Sequence, residues 1–366
     1  MRILLAMSGG IDSSVIAYLL KEQGHDLVGV RFLLWMDPKA PAEAQILSNK
    51  CCDAQSAARA KRIAKDLGFP LHTINLSEKF KREVVDYYID ECRKNVTPNP
   101  CVRCNKIIRF EALLELMDDF GCEKLATGHY ARIKKKKDPA GSDYFALLQG
   151  KDELKDQSYF LYRLTQKHLS RIIFPLGKMR KKEVYSLAKK YSVPLDAQRY
   201  RESQDLCFFP EKEPNEFIKR YLGRSIKHGD MVKPDGIKIG EHRGLPFYTI
   251  GQRRIGVGGF SKPQEVIGKD VKNNLLIVGE KGSAKVNKIF VRDLSWTAAK
   301  PMENSRIKLK CRTRSLSPFK TGFFKYSGQK GVFSTESPIP PSASGQSLVL
   351  YNGNEVIGGG VIFECK

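Results

Sequence analysis

The stretch Arg2-Ile3-Leu4-Leu5-Ala6-Met7-Ser8-Gly9-Gly10-Ile11-Asp12-Ser13-Ser14 decides the fold. Its first half, Arg2–Met7, is an apolar run of strand length, and the amphipathic residues Ser13–Gln23 that follow have helical spacing. Between them, Gly9 and Gly10 let the main chain turn tightly and present successive N–H groups to an anion at the positive end of a helix dipole. Ser8, Ser13 and Ser14 add hydroxyl donors, and Asp12 is placed to help hold Mg²⁺ beside a phosphate chain. Neither the Walker pattern nor G-x-G-x-x-G occurs here, so the loop is of another kind. A Gly-Gly turn capped by Ser or Asp is the plain alternative. The position directly after a first strand favours phosphate binding.

The strand–helix alternation continues from there. Asp26–Leu33 reads as a strand, Asp53–Leu67 as an Ala-rich helix and Leu71–Asn75 as a strand. Phe80, Val84, Val85, Tyr88, Ile89 and Cys92 recur at helical spacing, and a helix over Asn105–Phe120 precedes a strand at Lys124–Thr127. Such alternation implies right-handed crossovers and a mainly parallel sheet covered on both faces, an α/β domain. Beyond about residue 210 the texture changes. Short apolar runs at Asp230–Val232, Gly236–Gly240, Phe247–Ile250 and Asn274–Val278 are broken by Gly, Pro and Asn. Lys288–Val291, Arg306–Cys311, Gly331–Ser334 and Leu348–Tyr351 continue the pattern, which predicts small antiparallel sheets or barrels. The lysine run Lys134–Lys137, beside Asp138-Pro139-Ala140-Gly141, reads as an exposed hairpin tip, either solvated or set against a nucleic-acid backbone.

The 366 residues include 63 Lys plus Arg against 40 Asp plus Glu, a formal charge of +23 that calls for a polyanionic partner. No apolar run is long enough to span a bilayer, and Met1-Arg2-Ile3-Leu4 reads as a strand rather than a secretory leader. Nucleic acid is therefore the expected partner, no membrane is expected, and the expected compartment is the cytoplasm. Nine cysteines, an odd number, argue against a disulfide framework and leave some thiols for chemistry. Cys92, Cys122 and Cys311 sit among apolar neighbours as core residues, the adjacent Cys51 and Cys52 read as packing, and Cys365 carries no signal.

Thr97-Pro98-Asn99-Pro100-Cys101-Val102-Arg103-Cys104-Asn105-Lys106 reads as a loop just before a helix, with Cys104 at or next to the helix start. The dipole, Arg103 and Lys106 favour a thiolate there. Cys207 follows Glu202-Ser203-Gln204-Asp205-Leu206 near the end of the α/β region. On spacing alone, Cys101-x-x-Cys104 equally fits half a zinc site or a redox pair, although no second C-x-x-C completes a zinc ribbon. His129 and Lys155-Asp156-Gln157 read, on their own, as ordinary hydrogen-bonding and capping residues. Tyr248–Gly259, with Arg253 and Arg254, suits a phosphate backbone.

Six motifs occur in order: Ser8–Ser14, Thr97–Lys106, Thr127–Arg132 (T-G-H-Y-A-R), Lys155–Leu161 (K-D-Q-S-Y-F-L), Glu202–Phe208 and Tyr248–Arg254 (Y-T-I-G-Q-R-R); Gly345-Gln346-Ser347 follows. The first resembles the loop of ATP pyrophosphatases that adenylate a carbonyl oxygen. Together, over nearly the whole chain, they resemble the tRNA-specific 2-thiouridylases, the MnmA family. The resemblance implies a parallel-sheet pyrophosphatase-loop domain over 1–209, a central β-rich tRNA-binding domain over 210–282 and a C-terminal β-barrel over 283–366. It implies ATP-dependent 2-thiolation of the wobble uridine, U34, in tRNAs for Lys, Glu and Gln, with AMP and pyrophosphate as products.

In that reading Cys104 is the nucleophile and Cys207 carries a persulfide, loaded by a cysteine desulfurase or a sulfur-relay protein; the pair ends as a disulfide. Ala6, Met7, Ser8, Gly9, Gly10, Ile11, Asp12, Ser13, Phe32 and Gly128 would contact ATP. Asn99, Pro100, Cys101, His129, Lys155, Asp156, Gln157, Arg314, Ser315 and Gln346 would contact tRNA. Three departures stand out. Phe32 replaces a frequent Met, and Arg314-Ser315-Leu316 replaces an Arg-Tyr-Arg run. Cys101 stands where many relatives carry Asp, which makes Cys101, Cys104 and Cys207 a candidate ligand set for a [4Fe–4S] cluster whose fourth iron binds hydrosulfide. Two further readings stay open: a tRNA-binding relative without catalysis, and an amidating synthetase of the same loop class that needs neither Cys104 nor Cys207.

Overall fold

The computed structural model describes residues 1–41, 54–138, 140–194, 206–211 and 213–366. Cys51, Cys52, Pro139 and the Glu202–Asp205 motif lie outside the described residues. Strands β1 (Arg2–Ala6), β2 (Asp26–Leu33), β3 (Leu71–Asn75) and β4 (Lys124–Ala126) form a parallel sheet. A hairpin of β5 (Ala131–Lys137) and β6 (Asp143–Gln149) leaves it, and β7 (Ile172–Ile173) completes it in the order β3-β2-β1-β4-β7. Ile3, Leu5 and Met7 pack on one side against Val15 and Leu20 of helix α1 (Ile11–Glu22), Ile63 of the Ala54–Asp66 helix and Val184 of the Lys181–Lys190 helix. Leu4, Val28 and Val30 face the other way, toward Phe110, Leu113 and Met117. Burial on both faces is why β1 reads as an unbroken apolar run rather than an alternating one.

Two β-rich units follow. β8 (Gly229–Val232), β9 (Lys238–His242), β10 (Gln264–Asp270) and β11 (Leu275–Glu280) form a four-stranded sheet in the order β10-β11-β8-β9. Phe247–Ile250, expected as a strand, is instead a turn of 3₁₀-helix over Leu245–Phe247 followed by irregular chain. Pro246 has no N–H to give a ladder, and Gly244 and Gly251, with φ of 133° and 84°, bend the chain at either side. Its aromatic residue is still used, for Tyr248 is buried in the central core.

β12 (Val286–Trp296), β13 (Ile307–Arg312), β14 (Lys320–Ser327), β15 (Lys330–Ile339), β16 (Ser347–Asn352) and β17 (Glu355–Cys365) close into a six-stranded barrel through the β12–β17 pairing. The barrel sheet does not stop at its own strands. β17 also pairs with β6, at Glu355↔Leu148 and Val356↔Leu147, so the hairpin of the α/β domain adds two strands to it. The lysine run is therefore strand rather than tip, with Lys136 paired to Glu355 of the barrel at 2.6 Å. Val349, Tyr351 and Val356 of the barrel share one hydrophobic core with Leu4, Val28 and Leu147.

Candidate active site

The helix expected to start at Asn105 starts earlier. Asn99 caps it by accepting from Val102 N, Pro100 occupies the first turn, and the helical run extends over Pro100–Cys104, Asn105–Glu111 and Ala112–Asp119. Cys101 thus lies in the first helical turn and Cys104 at the start of the second, and neither sits in a preceding loop. The middle segment is π-helical, an underwound, widened stretch of a kind that recurs at functional sites. It carries Asn105 and Arg109, which both line the cavity of Cys104.

Cys207 reaches the same place from far along the chain because of the two residues after it. Phe208 and Phe209 are 2% and 3% exposed and stack into a cluster with Phe80, Tyr88 and Phe217, with centroids 5.0–6.2 Å apart. Burying each ring contributes about 1.5–3 kcal/mol, enough to pin the segment. The same core holds Cys104 and Ile108. Arg220 of the Asn215–Leu222 helix adds a polar tie, bridging Asp37 and Glu211.

Three cavities meet here. A pocket of about 270 Å³ is lined by Ala6, Met7, Ser8, Asp12, Ser13, Phe32 and Gly128 of the expected nucleotide contacts. A second, of about 250 Å³, is lined by Cys101, Cys104 and Cys207 together. Arg109, His129 and Gln157 line both and form the wall between them. A third, a cleft of about 1220 Å³, opens beyond Pro100 and Phe160 and is bordered by Asn99, Arg243, Arg253, Arg254, Ser315 and Gln346. The route therefore runs from phosphate loop to thiols to a cleft edged with exposed arginines.

The phosphate loop is built from its own atoms. Ser13 and Ser14 hydroxyls donate to Gly10 O at 3.1 and 2.8 Å, and Gly10, in extended conformation, opens α1 without a capping side chain. Gly9 has φ of +77°, and a Cβ there would lie 2.0 Å from Ser56 O, so only glycine fits. Gly10 and Ile11 belong to this loop without lining the pocket. Asp12 accepts from Lys181 Nζ at 2.8 and 2.9 Å and from Tyr130 Oη at 2.8 Å. Lys181 was not singled out from sequence, since nothing local marks a lysine 169 positions from its partner. Arg109 and Arg31, which also lines the pocket, were missed likewise.

His129 is buried between two partners. Thr127 Oγ1 lies 2.8 Å from Nδ1 and Asn105 Oδ1 3.2 Å from Nε2. Burial, reinforced by the Arg109 charge, holds its pKa down at about 3. The ring is neutral, donating from Nε2 to Asn105 and accepting at Nδ1 from the Thr127 hydroxyl. Cys92 and Cys311 are different thiols, both pushed up to about 12 by burial and so inert. No disulfide joins any of the described cysteines.

Several expected tRNA contacts are committed within the protein. Asp156, with no exposed side-chain surface, accepts from Gly150 N, Ser158 N, Gln149 Nε2, Ser158 Oγ and Arg312 Nη1 at 2.9–3.1 Å. Its carboxylate is enclosed, and it holds the barrel strand β13 to the loop of Gln157. Gln157 in turn accepts from Tyr130 N at 2.9 Å. Gln346 donates to Thr97 O and Pro98 O, latching the barrel to the loop before Cys101, and Arg314 donates to Ile250 O at 2.6 Å. Lys155 borders none of the three cavities but is partly exposed beside them.

Asp12 is the one carboxylate among the described residues lining the nucleotide pocket, so Mg²⁺ fits there only with phosphate oxygens completing its shell. Among the described residues, no three His, Cys, Asp or Glu side chains are grouped closely enough to hold a single metal ion. No helix of the described residues is long and apolar enough to cross a membrane.

Residues 1–211 match the family model described as tRNA methyl transferase HUP domain. Residues 215–280 match its PRC-barrel domain, and 286–362 match the aminomethyltransferase beta-barrel domain. The chain is 39% identical over 363 residues to tRNA-specific 2-thiouridylase MnmA 1 of Caldanaerobacter subterraneus subsp. tengcongensis, covering 99% of this chain and 97% of that one. It is 39% identical over 362 residues to tRNA-specific 2-thiouridylase MnmA of Geobacter metallireducens, covering 99% and 96%. Among solved structures, a 4-thiouridine synthetase–RNA complex with bound ATP is similar at 18% identity and TM-score 0.33, covering 61% and 51%, a likeness too slight to bear on function. The model descriptions speak of methyl transfer, whereas the curated relatives are named for thiolation.

Proposed function

The chain belongs to the tRNA-specific 2-thiouridylases, ATP-using tRNA sulfurtransferases, and we propose that it exchanges the C2 oxygen of U34 for sulfur in tRNAs for Lys, Glu and Gln. One observation carries the reading: Cys104 and Cys207 line one cavity that shares the wall Arg109, His129 and Gln157 with the nucleotide pocket. An oxygen activated in one chamber is then within reach of sulfur in the next.

The C2 oxygen attacks the α-phosphorus of ATP, and pyrophosphate leaves. Adenylation turns a poor leaving oxygen into AMP. The terminal sulfur of a Cys207 persulfide attacks C2 and expels AMP; the Cys104 thiolate then attacks the Cys207 sulfur, leaving sulfur on C2. Alternatively, Cys104 first releases hydrosulfide from Cys207, and hydrosulfide attacks C2. Either order reduces the sulfane sulfur by two electrons and oxidises the two thiols to a Cys104–Cys207 disulfide, which an external dithiol resets. Arg109 supplies positive charge where the phosphates carry negative charge. The neutral His129 keeps Asn105 oriented in the wall. The arginine-edged cleft suits the anticodon arm, with Asn99, Pro100 and Cys101 against the base and Lys155, Ser315 and Gln346 at its margin. Mg²⁺ held by Asp12 and the phosphates would neutralise charge on the leaving pyrophosphate. A cysteine desulfurase or relay protein is the proposed sulfur source, and the cytoplasm, where a reset disulfide stays reduced, the proposed compartment.

Cys101 favours a second reading, since it lines the same cavity as the other two thiols. The three could hold three irons of a [4Fe–4S] cluster, which would present hydrosulfide at the fourth. Thiolation of unmodified tRNA with ATP and a persulfide donor, read by nucleoside mass spectrometry, separates the two. The persulfide route requires Cys207→Ser and Cys104→Ser to abolish product while Cys101→Ser retains it, in iron-free enzyme. Full thiolation by Cys207→Ser would refute it. Iron retained through anaerobic purification, with activity that tracks it and fails in Cys101→Ser, supports the cluster.

A further inference from the structure

We propose that Arg31 is a phosphate ligand of the nucleotide pocket, gripping one phosphate group of the bound nucleotide through Nε and Nη2; this rests on reading that pocket as the ATP site. Arg31 is 8% exposed and lines the pocket with Ser8, Asp12 and Ser13. Its Nε and Nη2 are buried without a hydrogen-bond partner, a state shared among the described residues only with Arg312 Nε. Buried polar groups are almost always bonded, and an uncompensated buried charge is strongly destabilising. A guanidinium kept in that state has its acceptor in something that enters the pocket.

Position identifies the acceptor. Met7 N donates to Val30 O at 2.8 Å, so the chain leaves β1 for the phosphate loop directly alongside Arg31. Nε–H and the neighbouring Nη2–H lie on one edge of the guanidinium plane, the fork that fits two oxygens of one phosphate. Adenine and ribose offer no such pair of anionic oxygens. Asp12 has its oxygens engaged by Lys181 and Tyr130, and no bond from Arg31 reaches it. Arg31 thereby adds from the β2 side a charge that the S-G-G-x-D-S-S loop itself lacks.

The test uses the full chain with Arg31→Met and Arg31→Lys, titrated calorimetrically with ATP and with adenosine, and melted without ligand. Arg31→Met is expected to weaken ATP by about 10- to 100-fold, the worth of a charge-assisted pair, and to leave adenosine within about twofold. Its melting temperature without ligand is expected to stay level or rise, because a buried unpaired charge has gone. Arg31→Lys keeps the charge without the fork and should recover part of the ATP affinity. Unchanged ATP affinity in Arg31→Met, or equal weakening of adenosine, overturns the proposal. So does a ligand-free melting point lowered by more than about 5 °C, which would mean that a carboxylate of this chain holds Arg31. If the unaltered chain binds no ATP, the reading of the pocket fails, and the proposal with it.

Discussion

Replacing Asp156 by Asn keeps the shape of the side chain and removes its charge. Asp156 is the joint between barrel and active site: Oδ1 takes Gly150 N and Ser158 N, while Oδ2 takes Gln149 Nε2, Ser158 Oγ and Arg312 Nη1. An amide has only one acceptor oxygen, so whichever way it turns, an NH₂ faces donors. Arg312, with a side chain 10% exposed and Nε already unpartnered, is then left as a buried lone charge. Breaking a buried pair from one side costs about 3–5 kcal/mol. At about 2–4 °C per kcal/mol for a unit of 150–250 residues, the melting temperature should fall by about 6–20 °C. Because Gln157 follows Asp156 and lines both inner cavities, tRNA-dependent pyrophosphate release measured well below the transition should also fall, by about tenfold, the effect of a catalytic wall held loosely. Adding Arg312→Met removes the stranded charge and should restore several degrees. A shift of under about 2 °C in Asp156→Asn, or a double variant worse than the sum of the singles, would show that the joint does not hold the site.

Four more outcomes can be checked. The His129 pKa is about 3 folded, against about 6.5 unfolded, so the unfolded chain takes the proton first and stability is lost as pH falls from about 6.5 towards 3. Urea unfolding should show about 2 kcal/mol of that loss between pH 7 and pH 5, absent in His129→Asn. Gly9→Ala places a Cβ 2.0 Å from Ser56 O at a positive φ, so ATP should no longer raise the melting temperature. Lys181→Met leaves Asp12 with Tyr130 alone and should weaken ATP-dependent adenylation about tenfold or more, seen as slower pyrophosphate release with tRNA binding unchanged. Gln346→Ala unlatches Thr97 and Pro98 and should lower kcat for thiolation several-fold, with the KM for ATP unmoved.

What the sequence made legible was local. A strand, two glycines and a helix in succession announce a phosphate loop because each carries its signal within a few residues, and the helix–strand alternation follows from periodicity alone. Two barrel strands escaped for the opposite reason. β17 contains Gly358-Gly359-Gly360, which reads as loop, yet each glycine is there because strands crowd it: a Cβ would lie 2.3 Å from Ser295 O at Gly358 and 2.4 Å from Leu348 O at Gly359. β14, Lys320–Ser327, hid its alternation behind charged and glycine positions. At the site, both cysteines were visible as residue types, but their meeting depends on Phe208 and Phe209 entering a core built from Phe80, Tyr88 and Phe217. Arg31, Arg109 and Lys181 carry no local mark. Asp156 reads locally as an ordinary hydrogen-bonding residue, and only the family resemblance makes it a tRNA contact; nothing nearby in sequence shows that it pairs with Arg312, 156 positions away.

The strand pairing between β17 and β6 has a consequence for how the chain can be divided. A fragment ending before β12 would expose the open flank of β6, whose Leu147 and Leu148 have 0% and 6% of their surface exposed in the intact protein. Unpaired edges of that kind recruit other chains, so the fragment should aggregate instead of behaving as a smaller enzyme. Equally, the sheet offers no hinge between the two halves.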